Sequence, residues 1–205
     1  IFFQKYSQMS RSQQGLAGAG EWETLRKLLP DFKDKRVLDL GCGYGWHCIY
    51  AMEHGASSVV GVDISHKMLE VAKEKTHFPQ VEYKCCAIED VEFPEESFDV
   101  ILSSLAFHYV ADYEILVKKI YRILKSGGKL VFTVEHPVFT AYGTQDWYYN
   151  EKGEILHFPV DNYYYEGKRT AVFLGEKVTK YHRTLTTYLN TLLSNGFIIN
   201  HIVEP

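Results

Sequence analysis

From residue 36 onward, short runs of aliphatic and β-branched residues alternate with longer stretches whose apolar positions follow a helical period, the pattern of strands and helices wound around a parallel sheet. Arg36 to Leu40 is a first strand, running into a glycine-rich turn at Gly41-Cys42-Gly43-Tyr44-Gly45 and a helical stretch to His54. Ser58 to Asp63 is a second strand, and Ser65 is placed to cap a helix from His66 to about Thr76. Val81 to Cys86 and Phe98 to Ser103 are a third and a fourth strand. Tyr113 to Leu124 is a helix whose stripe of Ile115, Leu116, Ile120, Ile123 and Leu124 is interrupted by Lys119, with Gly127-Gly128 as its C-terminal cap. Lys129 to Val134 is a fifth strand; a last helix near Thr184 to Ser194, closed by Asn195-Gly196, leads to a sixth strand at Phe197 to Val203. The pattern predicts a doubly wound, mostly parallel α/β sheet.

Two segments break the alternation. Residues 1–30 precede the first strand as a cap segment, with Glu21 to Leu29 a helix ended by Pro30. Residues 137–180 hold Tyr142, Trp147, Tyr148, Tyr149, Phe158, Tyr163, Tyr164, Tyr165 and Phe173 between turn residues, and read as a β-rich insertion covering one end of the sheet. The tyrosines at 163–165 read as packing of that cover.

In an open parallel sheet, ligands bind beyond the carboxyl ends of the strands where strand order reverses, and the first turn is the expected place. Gly41, Gly43 and Gly45 remove side chains where backbone must approach a ligand, and Asp63 follows 22 residues after Gly41 at the end of the next strand, where a carboxylate can accept both ribose hydroxyls. The pair points to an adenosine-containing cofactor. A dinucleotide site wants G-x-G-x-x-G; here Trp46 stands at the third glycine, which disfavours a nicotinamide-dependent oxidoreductase.

With these residues in view, the chain resembles the class I S-adenosylmethionine-dependent methyltransferases. Val37-Leu38-Asp39-Leu40-Gly41-Cys42-Gly43-Tyr44-Gly45 is similar to their first motif, and Gly61-Val62-Asp63-Ile64-Ser65 with Met68-Leu69 to the second. Glu89 to Pro94 with Ser97 to Ile101 resembles the third and fourth, and Leu124 to Gly128 before Leu130-Val131-Phe132 the fifth. The likeness, dense over residues 36–135, is nearest to small-molecule methyltransferases that carry a tyrosine and an Arg-Ser pair ahead of the first motif and Glu-His-Pro after the fifth strand.

The resemblance implies S-adenosylmethionine as cofactor and S-adenosylhomocysteine as product. It implies that Gly41, Cys42 and Gly43 line the methionine part, with Ser104 nearby, that Asp63 holds the ribose, and that Ile64, Met68 and Leu105 sandwich the adenine, with Ile88 offering its backbone N–H. Ala87 stands where many relatives have Asp, so the adenine amino contact falls to Glu89. Tyr6 and Arg11 would close over the cofactor carboxylate. Such relatives add a seventh strand beside the sixth; this sequence stops at Glu204-Pro205, which leads us to expect missing C-terminal residues or an open sheet edge.

Methyl transfer asks chiefly for alignment, and a base only if the acceptor must lose a proton. The acceptor-side candidates are Glu135 and His136 after the fifth strand, His108 after the fourth and His182 before the last helix; His136 is the foremost. His108 reads equally as a hydrogen-bonded loop residue, and His182 as part of a network holding the insertion. These side chains show no recognised metal-ligand spacing, and no metal is expected.

Composition narrows the setting. The 205 residues, 46% hydrophobic, suit one domain spanning 1–205. A net charge of −4 with acidic and basic residues interleaved disfavours nucleic acid as partner. Cys42, Cys48, Cys85 and Cys86 form no disulfide framework, no apolar run approaches a membrane span, and the N-terminus lacks a basic leader, so a cytoplasmic protein is expected. The sequence begins at Ile1 rather than Met, which suggests residues ahead of it. The expected activity is methyl transfer to a small molecule whose identity stays open, as does the oligomeric state; the alternatives are the oxidoreductase and a non-catalytic S-adenosylmethionine-binding protein.

Overall fold

The computed structural model describes residues 2–204; Ile1 and Pro205, the ends of the expected single-domain span, lie outside the described residues. Five parallel strands form the central sheet in the order β3-β2-β1-β4-β5: β1 Arg36–Leu40, β2 Ser58–Asp63, β3 Val81–Cys85, β4 Phe98–Ser104 and β5 Leu124–Thr133. The order reverses between β1 and β4, so the ends of these two strands open the crevice where a ligand can sit.

The period-two alternation of the strands divides the core into two layers. Leu38 and Leu40 of β1 join Val60, Val62 and Ile101 against helix α6 (Tyr113–Ile123) and helix α8 (Leu185–Ser194). Val37 joins Val59, Val100 and Leu102 on the other face, against helix α4 (Trp46–Glu53) and Leu69 of helix α5 (His66–Lys75). Polar caps start three of these helices: Ser65 Oγ accepts from Met68 N, Asp112 from Ile115 N and Thr184 from Thr187 N. Ahead of the sheet lie α1 (Phe2–Tyr6), α2 (Ser10–Gln14) and α3 (Trp22–Leu28).

The structure departs from the sequence pattern in two places. Leu124 turns extended at once after α6, so Gly127-Gly128 cap no helix; they sit in a bulge where the pairing jumps from Phe98–Leu124 to Val100–Lys129, Gly127 taking φ 73°. The expected sixth strand does not form, because residues 197–204 pair with no strand and Ile198, Ile202 and Val203 stay exposed. β5 is therefore the edge of the sheet, and a groove of about 1230 Å³, lined by Leu130, Phe132, Leu192 and Phe197, separates it from that tail.

The insertion is β-rich as expected, after a short helix α7 (Pro137–Ala141). It makes two antiparallel hairpins, β6 (Tyr148–Tyr149) with β7 (Ile155–His157) and β8 (Gly167–Phe173) with β9 (Glu176–His182). Tyr164 and Tyr165 face solvent, whereas Tyr163 Oη accepts from Leu185 N at the start of α8. The buried Arg183 donates to Val110 O and Ala111 O, tying the insertion to the loop after β4.

One core residue sets a pH dependence. Asp39 is 1% exposed; among the described residues its Oδ2 takes only the Cys48 thiol at 3.5 Å and its Oδ1 has no partner, so burial pushes its carboxyl up to about 7, with the Asp63 charge adding to the rise. A carboxyl raised in the folded state binds a proton more tightly there than in the unfolded chain. Its contribution is fully present below about pH 4 and lost as pH rises to about 7, at up to about 1.4 kcal/mol per pH unit. Asp39→Asn should remove this slope, so that in denaturant unfolding the variant gains on the wild type between pH 5 and pH 8; parallel pH profiles would refute the assignment.

Candidate cofactor and acceptor site

The glycine turn between β1 and α4 holds Gly41, Gly43 and Gly45 at φ 79°, 52° and 75°. A Cβ on Gly41 would stand 2.5 Å from Ala106 Cβ, so only glycine lets the loop after β4 close on this turn. Gly41 N and Cys42 N both donate to Val62 O, and Asp63 completes the clamp: Oδ2 accepts from Gly43 N at 2.9 Å and Oδ1 from Ser65 N at 2.8 Å. Burial raises the Asp63 carboxyl and these two donors pull it back. Two bonds leave the carboxylate further lone pairs for a ribose.

Around this cradle the residues expected at the cofactor fall into distinct places. Ile64, beside Asp63, is 74% exposed and offers a bare apolar shelf, while Met68 and Ile88 are buried. Leu105 takes φ 54°, a strained conformation for a branched residue, held by its N–H donating to Thr133 O and Oγ1. The Cys42 side chain turns into the core with Cys48, leaving only its backbone toward the crevice. Glu89 lies in a helical turn at 88–90 whose carbonyl receives Lys119 Nζ. Tyr6 stacks edge-on to Tyr44 with its hydroxyl over Gly43, 3.7 Å from where a Cβ would stand. Arg11 pairs with Glu21, whose Oε1 also accepts from Ser104 Oγ at 3.0 Å. Glycine cradle, carboxylate, apolar shelf and guanidinium suit the ribose, adenine and amino-acid ends of S-adenosylmethionine.

The acceptor-side candidates separate. Glu135 and His108 come together after β5 and β4: Glu135 N donates to His108 Nδ1 at 3.3 Å, and His108 Nε2 lies 3.9 Å from Glu135 Oε1. Burial lowers His108 to about 4, the Glu135 charge opposing, so the ring is neutral near neutral pH, with its Nδ1 lone pair occupied. His136 points elsewhere. Its Nδ1 caps α7 through Val138 N and its Nε2 meets Glu204 Oε1 at 2.5 Å on the groove side of β5. His182 is fully buried with both nitrogens engaged, Nδ1 by Thr140 Oγ1 and Nε2 by Tyr163 O.

Lys180, Gln145 and Tyr109, which the sequence pattern did not single out, complete the Glu135 cluster together with Phe173. Lys180, 3% exposed on β9, donates to Glu135 Oε1 at 2.5 Å and Gln145 Oε1 at 2.8 Å, and Gln145 Nε2 donates to Glu135 Oε2 at 2.8 Å. The Tyr109 and Phe173 rings flank the ammonium at 5.9 and 5.8 Å. Only the alternation of β9, with Lys180 in phase with His182, hinted that this lysine faces inward. The turn between β8 and β9 reaches α1, where Lys5 Nζ lies 2.6 Å from the position of a Cβ on Gly175. Among the described residues, no three His, Cys, Asp or Glu side chains gather as a metal site.

The methyltransferase-domain family profile matches residues 38–132. A provisionally assigned S-adenosylmethionine-dependent methyltransferase from Listeria monocytogenes is 59% identical, with a TM-score of 0.87 over 91% of this chain and 87% of that one. An S-adenosylmethionine-dependent methyltransferase from Mesorhizobium loti is 42% identical, with a TM-score of 0.84 over 91% and 85%. The ubiquinone biosynthesis O-methyltransferase of Coxiella burnetii is 36% identical over 112 residues, 54% of this chain, which spans about half (47%) of that enzyme's length. Over most of its length, then, the chain belongs to the class I S-adenosylmethionine-dependent methyltransferases.

Proposed function

We propose that the acceptor is a small molecule, held between the ends of β4 and β5 and the β8–β9 hairpin. The observation that carries this reading is the burial of Lys180 against Glu135 beneath that hairpin, whose turn meets α1. A site so covered suits a small ligand better than the surface of a folded macromolecule. The net charge of −4 gives nucleic acid no electrostatic support. No described helix is long and apolar enough to cross a membrane, and the four cysteines are free, which is compatible with a cytoplasmic setting. Residues 2–30 and 137–182 act in this reading as cofactor-side and acceptor-side covers of one catalytic domain.

Bound S-adenosylmethionine supplies a methyl group on a sulfonium, which needs a nucleophile in line. Gly41, Gly43 and Asp63 fix the adenosine and methionine ends, with Arg11 and Tyr6 over the carboxylate, and Ile64, Met68 and Leu105 confine the adenine. Glu135 anchors the acceptor, its carboxylate kept in place by Lys180 and Gln145. His108, neutral and bonded through Nδ1, positions the Glu135 backbone and takes no proton. His136 and His182, spent on α7 and on the insertion, have no part in the transfer. Release of S-adenosylhomocysteine, followed across a panel of phenolic, amine and thiol acceptors, tests the function; turnover only on nucleic acid or protein would overturn the small-molecule reading.

Two variants test its parts. Asp63→Ala removes the clamp on Gly43 together with the ribose contact, and should weaken S-adenosylhomocysteine binding by about 2 to 4 kcal/mol in calorimetry; unchanged binding would move the ribose elsewhere. Lys180→Met leaves Glu135 without its cation. Turnover on the acceptor found by the panel should fall about tenfold or more while S-adenosylhomocysteine affinity stays within about twofold. Equal loss of both would make the pair part of the scaffold.

A further inference from the structure

Glu21 occupies the N-cap position of α3, yet its side chain makes no capping hydrogen bond. The carboxylate turns instead toward the end of β4, where Oε1 accepts from Ser104 Oγ at 3.0 Å and pairs with the Arg11 guanidinium. The second oxygen, Oε2, accepts nothing from the described residues and is not sealed in the core. The parallel register, with Asp39 opposite Leu102, carries Ser104 alongside Gly41. Glu21 therefore stands at the same end of the glycine cradle as Arg11, whose guanidinium has donors beyond the one given to Glu21.

The pair is costly as scaffold. Both side chains are largely withdrawn from water, at 23% and 18% exposure, and burial lowers the Arg11 pKa, the Tyr6 hydroxyl opposing. A buried ion pair of this kind adds little stability by itself. As a receptor, by contrast, a cation and an anion side by side with no net charge match a zwitterion: a carboxylate for the guanidinium, an ammonium for the second carboxylate oxygen.

We propose that Glu21 receives the ammonium group of the cofactor's amino-acid end while Arg11 receives its carboxylate. The proposal rests on the placement of that end at Arg11. Glu21 is then a direct contact that discriminates the intact amino acid from derivatives lacking nitrogen.

Four probes separate the roles by calorimetry on the full chain: S-adenosylhomocysteine, its analogue without the carboxylate, its analogue without the amino group, and 5′-methylthioadenosine, which lacks both. Glu21→Gln, a neutral isostere that keeps the bond to Ser104, should weaken S-adenosylhomocysteine and the decarboxylated analogue by about tenfold or more. It should leave the deaminated analogue and 5′-methylthioadenosine unweakened, and the latter also shows that the variant is folded. Arg11→Met should give the mirror pattern, weakening S-adenosylhomocysteine and the deaminated analogue only. A Glu21→Gln loss that follows the carboxylate would make Glu21 a support for Arg11 and overturn the proposal. Equal loss across all four probes, or none, would overturn it too. Full S-adenosylhomocysteine affinity in Arg11→Met would overturn the placement at Arg11, while the Glu21→Gln results judge the ammonium contact on their own.

Discussion

The carboxylate of Asp63 ties three elements together. It leaves the end of β2, takes Gly43 N–H from the turn after β1, and takes Ser65 N–H from the start of α5. A turn with three glycines at positive φ has many conformations in the unfolded chain, and the bond from Gly43 N to the Asp63 carboxyl helps to select one. The position of Gly41 against Ala106, the Tyr6 hydroxyl over Gly43 and the exposed shelf of Ile64 all depend on that choice. The glycine turn is thus preorganised by the residue proposed to hold the ribose.

The cradle was legible in the sequence because it is local. Glycines at fixed offsets from a strand, an aspartate at the end of the next and a serine two residues on each act through backbone within a few positions. Residue 65 caps its helix and the five parallel strands form with boundaries within a residue or two, apart from β5, whose start lies five residues earlier. The Glu135 cluster was only partly legible, because it is assembled across 45 residues of chain. A lysine in a polar-looking strand reads as solvent-facing, and nothing near Lys180 announces that Glu135 awaits it. His136 stands at the strand end that the pattern favours, yet the start of α7 directly after it takes up its Nδ1.

The remaining departures show that strand propensity alone does not decide where a strand forms. Phe197 to Val203 is as aliphatic as β2, yet in this structure it lies across a groove from β5 and stays irregular. Leu124 to Gly128, read as a helix end, is instead recruited to β4 through a bulge because Phe98 offers it a pairing site. Local sequence proposes an element, and the pairing it actually makes in the fold decides it.

The division of one ion pair between a sheet strand's exit and a distant hairpin also constrains how such a chain can change. With Lys180 almost fully enclosed and Glu135 mostly so, replacing either alone strands a charge out of water, at a cost of about 3 to 5 kcal/mol. Joint replacement by two neutral side chains of similar bulk avoids that cost. Positions 135 and 180, with 145 bonded to both, are therefore expected to drift in concert through a lineage, whereas the outward-facing Tyr164 and Tyr165 of the same insertion can be exchanged one at a time. A hairpin acquired from elsewhere would pack against this carboxylate only if it carried its own cation to it.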